Sequence, residues 1–224
     1  MKLSSNTTMV LKNFATINQN LVIKEGSELL TMSSMKNIVA KATVEENFPK
    51  EIAIYDLNEF LASLSIFKSP VLEFEEQYLT IKEEDQPHKK LTYFYSDPSV
   101  VQSPTKTITM PSEEVKFHLD MNKLLEMKRA AGVIGSPDMV LQKSSGNSSL
   151  LVKDKKNDTA NNYSSDIKTD GDGEYKFFFK VENLKLLDGD YNVKISSKNI
   201  SHFKKDKSNI EYWIALEPES TYSN

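Results

Sequence analysis

The stretch Ser96 to Glu114, SDPSVVQSPTKTITMPSEE, divides this 224-residue chain near its middle and limits what either side of it can be. It holds three of the eight prolines, Pro98, Pro104 and Pro111, and its only positive charge is Lys106. Each proline lacks an N–H and pushes the residue before it towards extended geometry, so neither a helix nor a central strand fits here. The apolar residues Val100, Val101, Ile108 and Met110 keep it from being a polar tether. Two readings follow: an extended connector lying against a surface between two halves, or a long loop within one domain.

The patterns on either side favour the first. Val10, Leu11, Phe14 and Ile17 have helical spacing and predict a helix over 9–17, capped by Thr7 or Thr8, with Lys12 opposite the apolar stripe. Strand-like runs follow at 21–23, 28–32, 38–44 and 51–55. Asp56 then caps a helix whose buried stripe is Leu57, Phe60, Leu61 and Leu64, and strands at 71–75, 78–82 and 91–95 lead to the connector. The second half replays this order. A strand at 115–119 precedes an Asp120-capped helix, 121–131, stopping at Gly132, with Met121, Leu124 and Leu125 as its buried stripe. Strands at 139–143, 149–153, 163–168 and 175–181, a short helix at 182–187, and strands YNVKISS and IEYWIAL complete it. The hexapeptides DLNEFL (56–61) and DMNKLL (120–125), with a weaker ENLKLL (182–187), carry the repeat. The expectation is an α+β chain of two similar domains, 1–97 and 113–224, joined by a connector at 98–112. Each domain is expected to pack two helices on antiparallel sheets.

Chemistry-bearing motifs are scarce. There is no cysteine, so disulfides and thiol catalysis are excluded. His88, His118 and His202 are scattered without metal-ligand spacing, and no cofactor or metal is expected. TDGDGE (169–174) lacks the register of a calcium loop and reads as a hairpin turn. Phosphate-cradling and nucleophile-elbow motifs are missing, so an enzyme is not expected. The start, MKLSSNTT, has no apolar core of a signal peptide, and no run approaches a membrane span. A cytosolic, non-membrane protein is expected.

Charge and apolar surface are placed unevenly. The net charge of −4 combines 28 basic with 32 acidic residues. Predicted helix faces lean basic, while acids cluster at Glu73, Glu75, Glu76, Glu83, Glu84, Asp85, Glu217 and Glu219. For one helix that is an ordinary solvated face; in combination it suits a polyanion held without sequence readout. Val100, Val101, Ile108 and Met110, with Met32, Met35 and the Ala215, Leu216, Pro218 end, would either line a shallow peptide groove or seal an inter-domain seam.

The runs MKLS (1–4), LKNFATIN (11–18), IYDLNEFLASLS (54–65), SDPSVV (96–101), GDYN (189–192) and ALEPEST (215–221) occur in one order along the chain. Together they resemble the sliding clamps of T-even-type bacteriophages, which are similar in architecture to the proliferating cell nuclear antigen family. The chain departs from that pattern at acidic Glu59 and in the polar run Ser144 to Ser165. The resemblance implies a homotrimeric ring with helices lining a hole that encircles double-stranded DNA without sequence specificity. It also implies tethering of the replicative DNA polymerase, loading by an ATP-driven clamp loader, and late-transcription factors that dock on the ring in the infected bacterial cytoplasm. A phage structural protein of duplicated β-rich domains is the alternative. On this reading Lys12, Lys68, Lys123, Lys128, Arg129 and Lys185 face the hole. The edge strands bearing Leu91, Tyr93 and Tyr95 in one protomer, and Tyr163 and Ile167 in the next, pair across the subunit boundary.

Overall fold

A computed structural model describes residues 1–104 and 108–223. Lys106 therefore lies outside the described residues, as do its two neighbours in the expected connector. The chain divides into two compact units, Met1–Thr107 and Ile108–Asn224.

The first unit opens with helix α1, Ser5–Ile17, which buries Thr7, Val10, Leu11, Phe14 and Ile17. Its cap is Ser4, not Thr7 or Thr8: the Ser4 hydroxyl accepts from Thr7 N at 3.1 Å. Thr7 turns inward instead, towards the hairpin of Gly26–Met32 and Ile38–Phe48. From Ala42 onward the latter strand alternates strictly, and Glu46 falls on its buried face. A carboxylate there is stabilised because it accepts hydrogen bonds from Ser4 N and the Thr7 hydroxyl at the start of α1. Burial works to raise its pKa, but those bonds outweigh it and hold the carboxyl below the ordinary 4.5.

A folded pKa below the unfolded one stabilises above the unfolded value and is lost as pH falls through the folded one. Glu46→Ala is expected to cost about 1–3 kcal/mol by leaving the Thr7 hydroxyl and Ser4 N–H unpaired. Glu46→Gln should also flatten the loss of stability on acidification below 4.5. Urea midpoints at neutral and acid pH check both; an unchanged midpoint for Glu46→Ala would rule out this role.

Leu21–Ile23 pairs with Ile52–Ile54, after which Asp56 caps helix α2, Leu57–Ser65, by accepting from the N–H groups of Asn58 and Glu59. α2 buries Leu57, Phe60 and Leu64, as its spacing predicts, with Leu61 only half-buried. A three-stranded sheet follows in the order Pro70–Phe74, Tyr78–Glu83, Gln86–Phe94. The Met1 backbone exchanges hydrogen bonds with Leu72 at one side of it, both 2.7 Å, while Gln86–Phe94 forms the other edge.

The second unit begins with Val115–Leu119 and helix α3, Met121–Ile134. Asp120 caps α3 through Lys123 N at 2.9 Å. The helix passes through Gly132 and stops at Gly135, whose φ of 66° is the left-handed geometry that favours glycine. A five-stranded sheet runs Tyr163–Asp166, Asn147–Lys153, Asp138–Ser144, Glu174–Lys180, Thr221–Ser223. Val115–Leu119, Tyr191–Ser196, Ile200–Lys205 and Ile210–Ala215 pair in that order, all antiparallel.

Three expectations need correcting. The helix at 182–187 is a single 3-10 turn, Val181–Asn183. Leu184 and Leu186 are both buried, a period of two that extended chain satisfies and a helix does not. So among the described residues the second unit holds one α-helix, not two. TDGDGE is not a hairpin turn, because the strands flanking it pair with other partners; Asp170 instead bridges Lys116. Strands Ile200–Lys205 and Thr221–Ser223 were not anticipated.

Candidate functional site

Six basic residues were expected on one functional surface. On α1, Lys12 is exposed opposite the buried stripe. Lys68, just beyond α2, is also exposed. The buried Glu83 carboxylate fixes its backbone, accepting from Lys68 N at 2.9 Å and Ser69 N at 2.7 Å.

The three candidates on α3 differ from one another, because that helix is turned relative to expectation. It buries Leu124, Met127 and Ala131, leaving Met121 38% and Leu125 41% exposed. Arg129 is exposed. Lys128 sits on the flank of the buried stripe, where desolvation holds its pKa below the ordinary lysine value despite the opposing field of Asp188. Lys123 is committed within its own unit: its ammonium donates to the Ser165 hydroxyl and lies 3.1 Å from the Glu126 carboxylate. Lys185 is half-buried after the 3-10 turn, not on a helix face.

Each unit presents a sheet edge beside a helix. In the first unit, Gln86–Phe94 has one neighbour among the described residues, and a groove of about 470 Å³ runs between it and α2. Leu91, Tyr93 and Tyr95 line that groove with Glu59 and Ser63. Burial pushes the Tyr93 hydroxyl up to about 12, with Glu59 and Asp56 adding to the shift. In the second unit, Tyr163–Asp166 pairs, among the described residues, only with Asn147–Lys153. Tyr163 donates to Glu126 Oε1 at 2.6 Å, so α3 and the edge strand are cross-braced through Lys123, Glu126, Tyr163 and Ser165. Ile167 lies beyond the strand's end, its N–H donating to Ser148 O at 3.1 Å.

The apolar groove residues vary in exposure. Met35 stands 80% exposed on the turn between the first unit's hairpin strands, where the Ser33 hydroxyl accepts from the Asn37 and Ile38 N–H groups. Val100 is 58% exposed on the 3-10 turn Pro98–Val100. Val101 is buried with Val22 and Ala53, and Leu216 is buried in the second unit, so neither side chain is presented to a partner. Met32, Ile108, Met110 and Ala215 are half-buried and Pro218 is exposed. Lys155 anchors that last segment, 2.7 Å from Glu217 and 2.9 Å from Glu219.

Sequence reasoning singled out Glu59 as an acidic residue on α2 but missed Leu125 and Val133 as surface features. The signal was present: Val133, 78% exposed, lies off the Leu124, Met127, Ala131 stripe. No group of three histidines or acids among the described residues is arranged to hold a metal ion, and no described helix is long and apolar enough to cross a membrane.

This architecture, duplicated units of helices on antiparallel sheets, is that of the DNA clamps. It is similar to the proliferating cellular nuclear antigen of Entamoeba histolytica (TM-score 0.66, 12% identity, 94% of each chain). It is equally similar to a chain of the PCNA2-PCNA3 complex of Sulfolobus tokodaii (TM-score 0.67, 12% identity, 95% and 96%). Residues 2–101 match the DNA polymerase processivity factor family, and residues 116–218 match the gp45 sliding clamp, C terminal, family. The sliding clamp of Vibrio phage KVP40 is 33% identical over 97% of this chain and 99% of its own length. That of Enterobacteria phage T4 is 29% identical over 99% of each. The chain belongs to the phage sliding-clamp family. It is a processivity factor and not an enzyme, and nothing supports the structural-protein alternative.

Proposed function

We propose that three copies join head to tail into a ring that encircles duplex DNA and tethers the replicative polymerase in the cytoplasm of the infected bacterium. A clamp loader hydrolysing ATP opens and places it, and the loaded ring also serves late transcription. The observation that carries this reading is the pair of unlike sheet edges, Gln86–Phe94 in one unit and Tyr163–Asp166 in the other. Each is an exposed row of backbone donors and acceptors, and pairing one with the other on the next copy removes both. Unlike faces make a heterologous contact, which closes only as a ring.

Lys12, Lys68 and Arg129 are the exposed members of the phosphate-facing candidates. Lys128 and Lys185 add charge at shorter reach, and Lys123 braces the edge strand with its charge offset by Glu126. Retention then comes from topology, while the charges supply a loose grip that salt weakens. Residues 98–112 serve as the connector, with Val100 and Met35 as exposed anchors for partner peptides. Sedimentation equilibrium tests the ring: the expected mass is three times the 25.5 kDa of one chain. A monomer at all concentrations, or an open polymer, would overturn it.

A further inference from the structure

We propose that the seam between copies is sealed by the helix faces beside the two edges, and that Arg129 of one copy pairs with Glu59 of the next. This rests on the ring reading and assigns Arg129 to the seam, not to DNA. The α3 face is the less explicable of the two in an isolated chain. It lines a groove of about 580 Å³ with Leu125, Ala130, Val133 and Tyr163, of which Val133 is 78% and Leu125 41% exposed. Exposed apolar side chains about two turns apart on one helix, beside a free strand edge, form a patch that water solvates poorly.

The matching face in the first unit has the same plan with opposite charge. Glu59 and Ser63 are four residues apart on α2, and Ile66 at the helix end is 57% exposed. Tyr55, 56% exposed, lines that groove at its other end. Among the described residues, neither the Glu59 carboxylate nor the Arg129 guanidinium has an ion-pair partner in its own chain. Of the other charges that line the two grooves or flank α2, Glu126 is committed to Tyr163 and Lys123, and Asp56 to the start of α2. One uncommitted acid lining one groove and one uncommitted base lining the other give the complementarity that fixes register and partner choice. They also explain why an acidic residue stands on α2 in a DNA-encircling protein: it faces the neighbouring copy.

A charge swap tests this on the full-length chain, with circular dichroism confirming that each variant folds. Glu59→Arg and Arg129→Glu are each expected to raise the subunit dissociation constant at least tenfold by sedimentation. The double variant, which restores opposite charges, should recover most of that loss. Val133→Glu should also weaken assembly with folding intact, because it puts a charge into the apolar seam. A trimeric wild type whose single variants stay fully trimeric, or whose double variant is weaker than both singles, overturns the pairing alone. A wild type that never assembles overturns the ring itself. If Arg129→Glu leaves the trimer intact and loses only DNA retention, Arg129 faces the DNA and the seam assignment is wrong.

Discussion

Asp138→Ala is expected to destabilise the second unit by about 3 kcal/mol. Asp138 is fully buried at the start of its strand, and its carboxylate accepts from Lys180 Nζ at 2.6 Å and from Lys155 N at 3.1 Å. Lys180 is its direct cross-strand neighbour. Removing the carboxylate leaves that ammonium facing a site water reaches poorly, together with an unpaired N–H. Lys180 keeps 25% side-chain exposure and a second acid, Glu217, at 3.9 Å, which places the cost at the lower end for a broken buried pair. Asp138→Asn keeps an acceptor and should cost less. Urea unfolding measures both, and a loss below about 1 kcal/mol for alanine would show that the pair contributes no more than an exposed one. The consequence reaches function, since Lys155 also holds Glu217 and Glu219 in the segment that ends the proposed partner groove.

How much of this was legible in the sequence depends on whether a pattern is satisfied inside one copy. α1 and α2 present single apolar stripes, and both pack where their spacing says. α3 carries two overlapping stripes, Leu124, Met127, Ala131 and Leu125, Val133, and periodicity does not say which one faces its own domain. The structure buries the first and leaves the second for another surface. The strand Ile200–Lys205 was hidden because one of its inward residues is polar: Ser201 is buried and donates to Ile214 O at 2.8 Å. Glu46 sits at an inward position of an alternating strand, which from sequence alone looks like a break in the pattern. Its partner Thr7 lies 39 residues away, beyond any local rule. The same applies to Lys123 and Ser165, 42 residues apart, whose hydrogen bond ties an expected DNA-facing lysine to the edge strand. Charge counted along the chain located the basic residues. Only the fold separates those that are committed from those that remain accessible.

In the proposed ring, topology and not affinity holds the protein on DNA. The direct measurement follows the clamp after its loader has placed it on nicked circular duplex, which is then cut once at a distant site. At salt high enough to screen the lining charges, the clamp should stay on the intact circle and run off the free ends of the linear form. Equal loss from both forms, or equal retention on both, would contradict encirclement.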